Sequence, residues 1–490
     1  MRILCNYPVE SFQPRRDYRD VEVITYGPPD RKVIGGRHFP LDLAFDPSRG
    51  SLEELFALLP PGWRPDLVLL YYPGQEPLPR GIERCPVPVG GVISDWNLHF
   101  EQLWGLAPFF DFVLTDRLGT GIFRQAGFAE VAYWQQYTYR TGIHHPRPGV
   151  VRDIDIGFAG NMNPQVQGDR MRWLERVGRL GDRYRVFLGE GIYDGDYGLL
   201  LARSRIGFNR SIRGEMNLRA FEVCASGALL FMEEENLEVR DYLAPDREVV
   251  LYNEENLERK LAWFLDREEE RTRIAEAGRE RIRDYSFARN LERLRAVLAG
   301  IRAGIRPPAP AWRLHLARAT AMSRTWAAPA PVLAEVVAAL RLRPESAEAH
   351  NTAAVLLALH QPRQAGEELL REIGIARALD PRYLPARMNQ AWILHRAGRT
   401  GEARREWEGV ITLAGEVDSF TQLRGLVLPC RFTAGENGLR RAAALALLEG
   451  RAEHLARAYA ELARAWLTGA AGSGVGDVQA ASRPEAGLPV

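Results

Sequence analysis

The 490-residue chain lacks most of the features that would assign it quickly. Lysine is nearly missing: Lys32 and Lys260 are the only two among 64 lysines and arginines, and 63 acidic residues leave a net charge of +1. That balance gives no concentrated positive surface, so sequence-independent binding of nucleic acid or of an anionic membrane is not expected. The four cysteines, Cys5, Cys85, Cys224 and Cys430, are scattered without a CxxC. They signal neither a zinc site nor a disulfide framework and fit a reducing cytoplasm. No apolar window approaches the ~20 residues of a spanning helix, and the opening MRILCNYPVE enters a strand pattern without a leader. There is no GxGxxG after the first strand, no HExxH, and no DxD placed to face a cleft. A dinucleotide-dependent dehydrogenase and a metal-centred site are therefore both disfavoured.

What is present is the composition of a globular protein, 46% hydrophobic and 26% charged, long enough for two or three domains. Over residues 1–140, short apolar runs (Arg2 to Tyr7, Asp66 to Tyr72, Val87 to Ser94, Phe112 to Thr115, Glu130 to Trp134) alternate with helical patterns at Leu52 to Leu59 and Gly119 to Ala126. That alternation predicts a parallel α/β domain. Such sheets place ligands beyond the carboxyl ends of their strands, which marks the loops after Tyr7, Tyr72, Ser94 and Thr115. Residues 141–152 are rich in Pro, Gly and basic side chains and read as a linker. His144 and His145 within it read as a solvated pair, since neighbours in an extended chain point to opposite sides and no acidic cluster accompanies them. A second α/β domain is expected over 153–300.

Beyond several prolines the chain becomes almost wholly helical from about Pro331. Two stretches align at an offset of 37 residues (381 minus 344), with Pro344 on Pro381, Ala354 on Ala391 and Leu357 on Leu394. The offset is close to the ~34 of a tetratricopeptide unit, and a weaker third copy spans 441–466. The expectation is an all-α tetratricopeptide-like domain over 308–468, acting as an independent arm for a protein or peptide partner, with a plain helical cap as the competing reading. A disordered tail is expected over 469–490.

The densest information lies in Asn209 to Phe231, NRSIRGEMNLRAFEVCASGALLF. Asn217 is a good N-cap, Leu218, Phe221 and Ala225 recur at helical spacing, and Gly227 sits at the expected stop, so a short helix over 217–226 is predicted. Its free amides suit a diphosphate. Arg219 and Glu222 share one face: a guanidinium can neutralise phosphate oxygens, and a carboxylate can accept from two ribose hydroxyls. An ordinary exposed i,i+3 ion pair is the competing reading.

The text N-x-S, M-N-x-R-x-F-E and S-G-A within this stretch resembles the nucleotide-binding motif in the second domain of GT-B glycosyltransferases, in particular the spore-maturation (CgeB-like) family. The similarity runs over about residues 140–300, from the strand and glycine turn at Asp155 to Asn161 to the helices through Arg289. It implies a donor site at Gly160, Asn161, Asn209, Asn217, Arg219 and Glu222, with Arg213 beside it and the loop from Leu188 to Asp194 reading the base. Many such enzymes carry two glutamates with seven residues between them. Here Gly214 stands eight before Glu222, and Glu215 is one place off.

Glycosyl transfer also needs an acid/base group from the facing domain. The loop VISDWNLHF offers Asp95 directly after a buried strand and His99 one helical turn on, the alternatives being a helix N-cap and a surface histidine. The combined expectation is a cytoplasmic, metal-independent glycosyltransferase with two facing Rossmann-like domains and a helical domain, using a nucleoside diphosphate sugar as co-substrate and no other cofactor. The alternatives are a non-catalytic scaffold with a decayed transferase core and, third, a nucleotide-sugar epimerase or hydrolase.

Overall fold

The computed structural model describes residues 1–7, 20–28, 33–34, 37–360, 366–428 and 434–469. The loop after Tyr7, Cys430 and residues 470–490 of the expected tail lie outside the described residues.

Apolar runs such as Leu67–Tyr71, buried at all five positions, form strands covered on both faces. Seven parallel strands order as Leu43–Ala44, Glu22–Gly27, Arg2–Cys5, Leu67–Tyr71, Val89–Val92, Phe112–Thr115 and Val131–Tyr133. The order reverses between Arg2–Cys5 and Leu67–Tyr71, and Asn6 closes that switch point by exchanging two hydrogen bonds with the Tyr71 backbone. Because side chains alternate along a strand, the two faces build different cores. Ile3, Cys5, Leu67, Leu69 and Leu114 pack with Phe287 and Leu294 of the helix Phe287–Leu298, so the chain returns from the second domain to cover the first. Leu4, Val68, Leu70 and Val113 face the other way, into a cluster that runs without a break into the helical region.

The second sheet has five parallel strands, ordered Val186–Gly189, Ile154–Ala159, Ser204–Phe208, Leu229–Glu233 and Val250–Tyr252. Its switch point falls between Ile154–Ala159 and Ser204–Phe208, which is where a doubly wound sheet opens a crevice for a ligand.

The helical region is a run of antiparallel hairpins: Ala311–Met322 with Pro329–Leu342, Ala347–His360 with Gly366–Leu379, Leu384–Arg396 with Thr400–Leu413, and Ala434–Glu449 with Ala452–Leu467. Its first helix starts at Ala311, ahead of the strongly helical run from about Pro331. The helices Ala347–His360 and Leu384–Arg396 begin 37 residues apart (384 minus 347), the offset of the internal repeat. Buried Ala354, Ala391 and Ala403 let the helices approach, and Trp407 stacks on Trp466 at 5.6 Å.

The independence expected of this region is not what the structure shows. Arg306 pairs with the wholly buried Asp111 at 2.9 Å and donates to the Ile82 and Cys85 carbonyls. Arg318 pairs with Glu83 at 3.0 Å over the Phe109 ring, and Arg440 with Glu101 at 2.9 Å. The indole of Trp326 donates to Glu76. All these partners belong to the first domain. The inner helices are occupied as well: Asn351 and Asn389 both donate to the Leu426 carbonyl, and Asn389 accepts from the Leu428 amide. The chain's own backbone from Leu426 to Leu428 thus covers the Asn351 and Asn389 side chains of the two repeat helices. The helix Ala434–Glu449 packs on the first-domain helices Trp96–Leu103 and Arg117–Gln125 and reaches the helix Pro164–Gly178 of the second domain.

Candidate functional site

Most of the residues the sequence singles out converge at the second switch point. The helix runs Leu218–Ala225, and the Asn217 side chain caps it by accepting from the Ala220 amide. The Asn217 amide group donates to Asn209 Oδ1 at 3.1 Å, and Arg219 donates to the same oxygen at 3.0 Å. Arg219 also gives two hydrogen bonds to the Ala159 carbonyl at the end of the neighbouring strand and lies 4.2 Å from the Phe158 ring centroid. A Cβ on Gly160 would displace the Arg219 guanidinium from this position.

Beyond Gly160, the Asn161 carbonyl accepts from Arg170, which also donates to the Arg210 carbonyl and shares the Phe158 ring. Burial, and then the Arg219 charge, pull the Arg170 guanidinium down to about 9. Among the described residues, neither Arg170 nor Arg219 has an ion pair with a carboxylate, although nearly every other buried arginine here does. Two like charges held together by carbonyls are costly unless something negative arrives. The buried Asn209 amide nitrogen has no partner either.

Glu222 lies one turn along the helix and is 4% exposed. Burial pushes its carboxyl up to about 7, against the pull of Arg140, Arg219 and the Tyr197 hydroxyl. The linker histidine corrects the sequence reading: His145 is exposed, but His144 is buried, with Nε2 3.3 Å from Glu222 Oε1. An imidazole from the chain segment between the domains thus reaches the carboxylate proposed for a ribose.

Arg213 lies elsewhere than beside the helix start. Its buried guanidinium crosses the cleft to Asp95 at 2.7 Å, Asp116 at 3.1 Å and Asn97 at 3.1 Å, with Glu215 at 3.7 Å. Burial would lower its pKa, but the Glu215, Asp95 and Asp116 carboxylates outweigh that and hold it charged. Glu215 meanwhile accepts from the Arg213 amide at 2.7 Å, so it shapes this turn. Asp95 sits at the N-cap position in left-handed backbone geometry (φ +48°), yet caps nothing; its side chain serves Arg213. Tyr72 (φ +54°) at the preceding strand end and Asp194 (φ +48°) across the cleft are strained in the same way, as at many working sites.

His99 is buried where the Trp96–Leu103 helix is irregular (φ −134°), and burial, then Arg324 and Arg440 of the helical region, keep it neutral. The structure places it at the seam and not with Asp95. A small pocket between the domains is lined by Ser94, Asp116, Tyr137, Gln135, Arg213 and Glu215.

Sequence reasoning missed Arg170, His144, Asp116 and Glu238 as members of this region. Asp116 follows a strand end already marked as a working edge, so that rule could have found it. Glu238 accepts from the Arg117 and Met216 amides, tying the domains together, and nothing local in the sequence announces it.

Residues 150–296, less than half of the chain, match the family model described as glycosyl transferase-like. The second α/β domain is accordingly similar to that family. No curated protein sequence matches the chain. Among solved structures, an α-glucosyltransferase in complex with UDP and a mismatched 13-mer DNA is 12% identical, covering 61% of this chain and 100% of that one at a TM-score of 0.43. HepE of Anabaena in complex with UDP and glucose is 14% identical, covering 61% and 99% at 0.43. Sucrose-phosphate synthase from Thermosynechococcus elongatus is 13% identical, covering 61% and 98% at 0.38. Likenesses at these TM-scores carry no functional argument.

Proposed function

We propose that the chain transfers a sugar from a nucleoside diphosphate sugar bound at the second switch point to an acceptor presented by the first domain. One observation carries this: Arg170 and Arg219, two neighbouring guanidinium groups with no ion pair to a carboxylate among the described residues, beside a capped helix start, at the crevice between two strand ends. A diphosphate supplies the charge this arrangement lacks, and its neutralisation is what a departing nucleotide requires. Turnover in excess chelator is expected, because the cations already oppose the phosphate charge.

In this reading Gly160, Asn161, Asn209 and Asn217 shape the pocket, Glu222 takes the ribose, and the loop from Leu188 to Asp194 meets the base. Asp95 is the acid/base group on the acceptor side, with Arg213 holding its orientation and fixing the domain closure. His99 and Arg213 lose the direct ligand roles read from the sequence. The helical region acts as a tetratricopeptide-like roof fused to the first domain, and a protein or peptide acceptor would use a face other than the one holding Leu426. A scaffold reading is favoured by a single fact, that the Asp95 carboxylate is already taken by Arg213.

The test is a pair of variants. Removing a buried carboxylate that makes two ribose hydrogen bonds costs about 2 to 4 kcal/mol, so Glu222→Ala is expected to weaken donor binding roughly thirtyfold or more. Glu215→Ala is expected to lower thermal stability through the loosened turn. Unchanged binding in Glu222→Ala would remove the ribose assignment.

A further inference from the structure

The linker between the two α/β domains is not a loose tether at its middle. Arg140 pairs with Asp194 at 2.7 Å, and the amides of Ile143 and His144 donate to the Arg140 carbonyl, folding the segment into a turn. That turn lies on the helix Asp194–Arg203, where glycine is required: a Cβ on Gly198 would stand 2.5 Å from the Ile143 carbonyl oxygen. The His144 ring is thereby set edge-on against Tyr197, with centroids 5.9 Å apart. The Tyr197 hydroxyl interacts in turn with both Glu222 and Arg219.

The tautomer follows from the contacts. His144 Nδ1 accepts from the Arg140 amide at 3.2 Å, so the neutral ring carries its proton on Nε2, the atom 3.3 Å from Glu222 Oε1. Burial, then Arg140, His145 and Arg147, keep the ring neutral, with its pKa lowered to about 3. The Nε2–H is buried and makes no hydrogen bond as it stands, so a small turn of the Glu222 carboxylate toward it would complete one and favour the anion without adding a charge.

We propose that His144 is a positioning residue of the donor site, holding the Glu222 carboxylate ionised and turned toward two ribose hydroxyls, and so making ribose recognition depend on the docked linker. This rests on the donor reading above. The groups facing Glu222 are His144 from the linker, Arg140 at the linker's start, Tyr197 from the Asp194–Arg203 helix and Arg219 from its own helix. Arg219 is placed for the diphosphate, so His144 affects the ribose end alone.

The experiment is calorimetry of the full chain with UDP, 2′-deoxy-UDP and inorganic pyrophosphate, for wild type, His144→Phe and His144→Gln, between pH 6 and 9. His144→Phe is expected to lose roughly tenfold in UDP affinity and most of the preference for UDP over 2′-deoxy-UDP, with pyrophosphate binding unchanged. The midpoint of its affinity–pH profile moves upward, since the carboxylate has lost a donor. His144→Gln, whose amide can donate, restores the preference. A structural role alone would move melting temperature but neither the pH midpoint nor the deoxy discrimination. Retention of both by His144→Phe overturns the proposal while leaving the donor site standing. Wild type binding neither UDP nor pyrophosphate overturns the donor reading itself. Should His144→Phe fail to fold, His144→Met carries the same comparison.

Discussion

Two interfaces join the parts of this molecule, and they are built in opposite ways. Where the helical region meets the first domain, an apolar cluster containing Phe100, Leu103, Trp104 and Leu106 continues into Ala317, Ala391 and Trp407, and each buried arginine has its carboxylate. Where the two α/β domains face each other, the contact is polar: Arg213 crosses to Asp95 and Asp116, Glu238 holds amides from both sides, and Arg170 and Arg219 have no ion pair among the described residues. A seam whose charges are matched internally is structural. A cleft with two cations lacking an ion pair on one wall is where the proposed ligand would bring the counter-charge.

The largest effect that could break this contrast is truncation near Pro307. The cut would bare Phe100, Leu103, Trp104 and Leu106, all now at most 8% exposed. An insoluble or unfolded fragment is expected by solubility and circular dichroism; a stable monomer that still binds nucleotide would show that the seam is dispensable.

Next in size is a matched pair of arginine deletions. Arg306→Ala leaves the Asp111 carboxylate buried beside amides alone, a change of the kind that costs about 3 to 5 kcal/mol, read by chemical denaturation. Arg219→Ala gives up its hydrogen bonds to Ala159 and Asn209 but also removes a cation that repels Arg170, so the net cost should be smaller, about 1 kcal/mol. Equal destabilisation by both would erase the distinction between seam and cleft.

These contrasts were only partly legible in the residues. The Asn209 to Phe231 segment was readable because cap, helix face and glycine stop are consecutive in the chain. Two strands on one side of the first sheet were not: Glu22–Gly27 buries only its second half, and the edge strand Leu43–Ala44 is two residues long. Arg213 showed its closeness to the helix start, but its three carboxylates include two delivered by the other domain. His144 lies 78 positions before Glu222 (222 minus 144), and no local pattern reports a contact at that range. The seam was hidden for a related reason. Buried residues surround the Trp96–Leu103 helix on all sides, and periodicity reports a face only when one side is wet.

The smallest expected effect concerns pH and the helical region alone. His350 Nδ1 meets Glu372 at 2.6 Å while Nε2 meets the Pro344 carbonyl at 2.8 Å, and the Glu372 hydrogen bond, resisted by burial, raises the imidazole above its ordinary value. The stability this gives is complete below the unfolded value of ~6.5 and is lost as pH rises through the folded one. A slight fall in melting temperature on that path is expected, flattened in Glu372→Gln. An unchanged slope in that variant would assign the pH dependence elsewhere.

The central claim is that the unmatched cations of the cleft await a nucleoside diphosphate, and it is tested most directly by titrating UDP, GDP and dTDP into wild type and Arg219→Ala by calorimetry. Saturable binding of one of them to wild type, weakened about thirtyfold in a variant that melts normally, is the predicted result. No binding at millimolar nucleotide, or equal affinity in the two proteins, would contradict it.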